Sequence, residues 1–257
     1  MKKIIDSRIF IVCAAMLLFV VAWQIVGSAK LTFMIPPFTD IIEALGKLIA
    51  SGKLVKIFIF SMQSLVEGLA LAIFFGIILG VLTGRYSFID NLTSMYIGAF
   101  MSSPMSAFIP ILILLFGIGR ASVVATVFMF SFFVTVINTK TGVRDVNHSL
   151  IEMAYSFGAS ERKLLWYIII PGALPEIMTG IRLAVGRAYR GLIVGEMLIS
   201  LMGLGGMLET YGNSFNVTYL YAVIFSVIAV AVIITEGIHV IDNKLIGWRR
   251  NSNMGIR

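Results

Sequence analysis

Residues 152–171 read EMAYSFGASERKLLWYIIIP, a polar and charged stretch caught between long apolar segments. Its pattern predicts two short helices, one from Ser149 to Phe157 and one from Ser160 to Ile168. Gly158 stands between them and can take the left-handed conformation that ends a helix. Ser160 is placed to cap the second. On the first helix Leu150, Met153, Ala154 and Phe157 recur at helical spacing and form an apolar stripe. A helix outside a membrane with such a stripe needs a partner surface, on its own protein or on another. Pro171 and Pro175 then mark the entry into the next apolar run.

Outward from this stretch the chain is too apolar to cover itself in water. Of 257 residues, 59% are hydrophobic and 13% charged, whereas a soluble domain needs a surface roughly 25–35% charged. Six apolar spans, at about 9–26, 57–82, 93–116, 121–139, 174–199 and 219–241, are each long enough for a bilayer core that takes ~20 helical residues. With the N-terminus inside, the cytoplasmic segments hold twelve cations: Lys2, Lys3, Arg8, Arg85, Lys140, Arg144, Arg162, Lys163, Lys244, Arg249, Arg250 and Arg257. The outer segments hold five: Lys30, Lys47, Lys53, Lys56 and Arg120. The excess puts both termini, and the 152–171 stretch, in the cytoplasm. The opening Met-Lys-Lys and its apolar run also fit a secretory signal, with Gly27-Ser28-Ala29 as a cleavage site. The run is longer than most signal cores and five more spans follow, so an uncleaved first helix is expected.

Several function classes find no support. The single cysteine, Cys13, can form no intrachain disulfide and is expected as a small buried hydrophobe. His148 and His239 lie far apart without ligand-type neighbours, so no metal site is expected. The Gly46-Lys47 pair is followed by Leu48 and lacks the upstream glycine of a phosphate-binding loop. Any ATP hydrolysis would have to come from another chain. A membrane-embedded enzyme would need a cluster of His, Asp or Cys, and none occurs at metal or nucleophile spacing.

Other local signals shape the bundle. Pro36-Pro37 breaks any helix after the first span, and Asp40 with Glu43 reads as a capping start for a short interfacial helix whose Ile41, Ile42, Leu45, Leu48 and Ile49 share a face. Gly76, Gly80 and Gly84, and again Gly191 and Gly195, are spaced for close helix approach in lipid. Pro104 and Pro110 are expected to bend the third span, either for packing or beside a pathway. Charges within spans are costly and usually functional. Arg187 and Arg190 share a helix face near mid-membrane. They either line a path that favours an anion or pair internally with Glu67, Glu196 or Glu236. Arg182 is near enough to the cytoplasmic side to snorkel. Tyr189, Met129 and Phe130 could face a cavity or simply pack.

The skeleton Glu152, Ala154, Gly158, Ile168 and Ile170-Pro171 resembles the EAA loop of the membrane subunits of bacterial ABC importers, with Met153 for the first alanine and Ile170 for a leucine. PMSAFIPILILLFGIG (104–119) resembles the pattern PxxAxxPLxxLWFGxG of the nitrate/sulfonate/taurine-type permeases, with Ile111 for Leu and Leu115 for Trp. LPEIMTGIRLAVGRAYRGLIVGEM (174–197) and MGLGGML (202–208) extend the likeness, which runs from about residue 60 to the C-terminus. Within it, Ser64 stands where arginine is common and Glu67 follows.

The resemblance implies an all-α membrane protein with six transmembrane helices in the type I (MetI-like) importer permease fold. It divides into residues 1–56, an N-terminal helix with an outer interfacial segment, and a permease core at 57–257 with a cytoplasmic coupling loop at 144–172. Such a chain is no enzyme and binds no cofactor. A separate ATPase would bind ATP and Mg and dock on the coupling loop through Leu150, Glu152, Met153, Ala154, Phe157, Gly158, Ala159 and Pro171. Glu152 would pair with a basic residue of the ATPase and Ala154 would permit close approach. The path would involve Arg187, Arg190, Tyr189, Glu196, Glu67, Pro104 and Pro110. Implied partners are a second permease copy, two ATPase subunits, an extracytoplasmic substrate-binding protein and membrane lipid, with no nucleic acid. The location is the bacterial inner membrane, and the solute is a small anion. The rival reading, an ATP-independent secondary transporter or channel, would need repeat symmetry or a broken-helix ion site.

Overall fold

The computed structural model describes residues 2–30, 32–199 and 202–252, with side chains described at 10–30, 32–199, 202–238 and 240. The cations at 2, 3, 8, 244, 249, 250 and 257, and His239, lie outside the described side chains. The chain runs through α1 (Lys2–Ser28), α2 (Phe38–Ala50), α3 (Lys53–Arg85), α4 (Ser87–Ser102), a 3₁₀ turn (Met105–Phe108), α5 (Ile109–Phe116) and α6 (Arg120–Arg144). Then follow α7 (His148–Ser156), α8 (Glu161–Leu164), a π turn (Leu165–Ile169), α9 (Ile170–Ile199), α10 (Gly203–Asn213) and α11 (Val217–Ser252). No strand occurs among the described residues.

Helix α6 is the axis of the bundle because its neighbours present glycines to it. A Cβ on Gly76 would lie 2.8 Å from the Cβ of Thr135, and one on Gly80 would lie 2.5 Å from that of Thr139. On the other side Gly180 meets Asn138, Gly191 meets Phe130 and Gly195 meets Thr126. In lipid, where burial of apolar surface gives no preference between helix and solvent, this closeness supplies the association through van der Waals contact. The buried residues form three successive clusters. Ile41, Leu48, Leu54, Leu204 and Val223 lie at the end away from 152–171. Leu65, Ile109, Val127, Tyr189 and Leu192 fill the middle, and Val81, Val143, Ala154, Leu164 and Ile169 lie at the loop end.

Among the described residues, five helical segments are long and apolar enough to cross a membrane: Phe10–Ser28, Lys53–Arg85, Arg120–Arg144, Glu161–Ile199 and Val217–Ile238. The sixth span differs from the expected kinked helix at 93–116. It is two legs, Ser87–Ser102 and Met105–Phe116, bent by 102°. The break is at Pro104, before which Ser103 is extended (φ −82°, ψ 147°), as a residue preceding proline prefers. Pro110 bends nothing, contrary to expectation. It sits in the first turn of α5, where a missing N–H would have had no helical partner.

Three further expectations are corrected. Helix α2 starts at Phe38 behind Pro37, without a side-chain cap; Asp40 lies in its first turn and Glu43 pairs with Lys47 at 2.7 Å. Ile41 and Leu48 face inward, whereas Ile42 and Ile49 are half exposed. Cys13 is exposed, because the described side chains of α1 pack through its last turns, where Trp23 donates to the Pro36 carbonyl at 3.1 Å and meets Tyr221 edge-on. Pro171 and Pro175 do not start a new helix. Glu161–Ile199 is continuous, and the π turn, closed by the Ile170 N–H on the Leu165 carbonyl, stands directly before Pro171. A widened turn of this kind accommodates a ring that lacks a donor.

Candidate functional site

The first loop helix, α7, is fixed at both ends. Asn147 caps it, its side chain accepting the Ser149 N–H at 2.9 Å. Past Ser156 the chain reverses at Gly158 (φ +76°), where the Ala159 N–H donates to the Ala154 carbonyl at 3.0 Å. Only glycine takes that backbone without strain. Ser160 precedes α8 in an extended conformation, but its hydroxyl makes no cap bond, so the expected cap is absent.

The four-residue stripe divides. Leu150, Met153 and Phe157 are 44%, 50% and 85% exposed. Ala154 turns the other way and is buried with Val146, Leu164 and Ile169. It serves the chain's own core, and close approach of another protein at Ala154 is corrected accordingly. The reason is the fold of the hairpin, in which α8 and the π turn cover the Ala154 side of α7 and leave the Leu150–Phe157 line open. Glu152 and Pro171 are exposed and Ala159 is half-buried.

Two polar clusters tie this end of the bundle together. Arg85, the last residue of α3, donates from Nη2 to the Tyr155 hydroxyl at 2.7 Å and to both Glu161 carboxylate oxygens at 2.9 and 3.0 Å. Tyr155 also donates to Glu161, and that contact pushes the phenol above its ordinary range. Beside them Asp90 of α4 accepts from Lys140 and, at 2.6 Å, from Arg144 of α6.

The charges within the spans fall out differently from the pairings considered. Glu67 pairs with Arg120 at the start of α6, along an open groove lined by Leu71, Phe116, Val124 and Phe128. Glu196 is fully buried and accepts the Gly205 N–H at 3.0 Å, at the start of α10. The Ser61 hydroxyl beside it accepts the Leu204 N–H at 2.9 Å. A Cβ on Gly203 (φ +93°) would collide with the Glu196 carboxyl. Glu196 thus closes a helix start and lines no path. Tyr189, placed on the path by resemblance, is buried and donates to the Val227 carbonyl of α11 at 2.8 Å. Phe130 packs on Gly191. Neither arginine pairs with Glu67 or Glu196. Arg187, half-buried, points Nη1 at the Met101 sulfur at 3.5 Å, three residues before the break at Pro104 in the bent span. Arg190 is exposed and forms no ion pair among the described residues.

The family model of binding-protein-dependent transport system inner membrane components matches residues 72–245. The chain belongs to this family. It is 29% identical over 188 residues to the taurine transport system permease protein TauC of Escherichia coli K12, covering 73% of this chain and 68% of TauC. It is 32% identical over 183 residues to the formylaminopyrimidine transport permease protein ThiX of Halalkalibacterium halodurans, covering 71% of this chain and 73% of ThiX. Among solved structures, the MetNI methionine ABC transporter in an inward-facing form aligns with TM-score 0.61 at 18% identity, over 75% of this chain and 95% of that one. An amino acid ABC transporter crystallised with histidines aligns with TM-score 0.63 at 14% identity, over 78% of this chain and 98% of that one.

The fold is therefore the type I importer permease fold, and the protein is a multi-pass membrane permease component of a binding-protein-dependent system. In this permease the sequence reading missed Arg85, Tyr155 and Asp90 as connectors. Arg85 and Lys140 had counted only as topological charges. The available signal was Asp90, an acid lying between span ends rich in cations, but no spacing rule names its partners.

Proposed function

We propose that this permease forms the path of an ATP-driven importer for a small organic anion of the sulfonate kind, with residues 144–172 seating a separate ATPase. The observation that carries the reading is the line Leu150, Met153 and Phe157, exposed on a helix whose two ends are fixed. A rigid apolar ridge flanked by exposed Glu152 suits insertion into a groove with a basic rim. In this reading the ridge and both termini face the cytoplasm, and ATP and Mg are bound by the ATPase. Two permease copies pair across the path, two ATPase subunits dock at the two loops, and a substrate-binding protein delivers solute from outside. Arg187, beside the broken span, and Arg190, one turn on, have no carboxylate partner among the described residues, and in this reading they attract the anion. Taurine and aliphatic sulfonates, the solutes named for two of the relatives, support that class, whereas the formylaminopyrimidine named for ThiX is no sulfonate.

The test is co-purification of the ATPase with permease carrying Phe157→Asp or Leu150→Asp. Both positions are exposed, so the bundle is expected to keep its stability while the ATPase is lost. Retention of a fully coupled ATPase by both variants would refute docking on the ridge. Uptake of taurine and of methanesulfonate by proteoliposomes, with Arg190→Gln as the variant, tests the anion.

A further inference from the structure

Beyond its covalent link to α6 through residues 145–147, the ridge has two further routes into the bundle. One is covalent and apolar: α8 and the π turn run unbroken into α9, and Ala154 packs in a cluster with Leu164 and Ile169 that also takes in Val81 of α3 and Val143 of α6. The other is polar and crosses the chain. Arg85 gathers Tyr155 of α7 and Glu161 of α8 onto the end of α3, between residues 70 and 76 positions apart in sequence. We infer that Arg85, Tyr155 and Glu161 form a latch that makes the end of α3 move with the ATPase-docking hairpin. The inference rests on the docking reading above.

The position of the latch argues for transmission and against mere stabilisation. Glu161 has a side-chain exposure of 56%, and an exposed pair of this kind contributes little to stability. What the latch does supply is geometry. The guanidinium meets both carboxylate oxygens and the phenol at once, and the phenol closes the ring by donating to the same carboxylate. All three contacts are made by the one nitrogen Nη2, so the latch fixes the distance between the end of α3 and the hairpin turn. It also straddles Gly158, where the hairpin turns, with Tyr155 before the turn on the ridge's own helix and Glu161 after it, so rotation of α7 is felt at once by Arg85. The rest of α3 is keyed to α6 through Gly76, Gly80 and Gly84, which lie against Thr135, Thr139 and Val143. A displacement entering at Arg85 therefore reaches the α3–α6 pair directly, without passing through α9. The neighbouring Asp90–Lys140–Arg144 cluster joins α4 to the same end of α6 and brings the bent span into the same unit. Arg85, Tyr155 and Glu161 are thus positioning residues that act through the loop.

The test is hydrogen–deuterium exchange on the permease in complex with its ATPase, comparing the nucleotide-free state with the state trapped by ATP and vanadate. In the wild type, peptides covering 148–162 and the last turns of α3 are both expected to change their exchange rates on trapping, by about threefold or more. In Arg85→Gln and Glu161→Gln the loop peptides still respond and the α3 peptides do not. The exchanged pair Arg85→Glu with Glu161→Arg restores the α3 response, a rescue that a merely structural defect would not show. An α3 response that survives Arg85→Gln overturns the latch and leaves docking intact, as does a wild type in which only the loop responds. A wild-type loop that does not respond to trapping overturns docking and the latch together.

Discussion

Two carboxylates sit near opposite ends of one continuous helical run, Glu161 at its start and Glu196 close to its finish, and the protein treats them in opposite ways. Glu196 is sealed from solvent and held by a backbone N–H of α10, with Ser61 beside it and the small Gly203 making room for its carboxyl. Glu161 is more than half exposed and held by two side chains from other elements, Arg85 and Tyr155. Backbone donors at a helix start cannot move away without unwinding it, so the Glu196 end is a fixed joint. Side-chain donors can be exchanged for water at small cost, so the Glu161 end can open and close. The lesson is that one helix can carry a rigid anchor and a remakeable contact, and that the remakeable one lies beside the ridge proposed to meet a moving partner.

The sharpest way to break this comparison is Glu196→Ala, which strips the buried Gly205 N–H of its acceptor and leaves a void. It is expected to cost about 3 kcal/mol, read as a fall of roughly 6–12 °C in the unfolding midpoint in detergent. A shift near zero would mean that the anchor is no firmer than the latch. Gly203→Ala comes next, at about 2 kcal/mol, because its Cβ meets the carboxyl and its backbone is left-handed. The same melt reads it, and the double variant with Glu196→Ala should cost less than the sum, since removing the carboxyl relieves the collision. Tyr189→Phe removes one buried hydrogen bond to the Val227 carbonyl and is expected to cost about 1 kcal/mol, or roughly 2–4 °C. At the small end, Arg85→Gln should move the midpoint by less than about 2 °C while abolishing the α3 exchange response described above. A large loss of stability in Arg85→Gln would turn the latch into a second anchor.

How far the reading from sequence carried depended on the range of the interaction. The all-helical class, five of the six spans and the reversal at Gly158 were legible because composition, hydrophobic run length and the left-handed preference of glycine are local. The glycine spacing in α3 correctly marked a close approach, since a residue without Cβ is useful only where another backbone or a side chain arrives. The errors were those of environment. Pro110 looked like a kink because its place in the first turn of α5 is invisible until the break at Pro104 is known. Cys13 looked buried because an apolar run does not say which of its faces meets protein. Ala154 looked like a docking contact because helical spacing groups it with Leu150, Met153 and Phe157, and only the hairpin's return decides which side is covered.

By itself, then, the sequence determined that the chain lives in a membrane, which of its runs are apolar enough to cross, and that a short hairpin interrupts them. Those properties are sums over neighbouring residues. Only the tertiary structure decided the partners of the charges: Glu67 with Arg120 across 53 positions, Arg85 with Tyr155 and Glu161 across 70 and 76, and Glu196 with a backbone amide. The physical reason is that an ion pair depends on where helices lie side by side, and every peptide group offers the same amide donor. No pattern in the chain distinguishes the one N–H that a buried carboxylate will find.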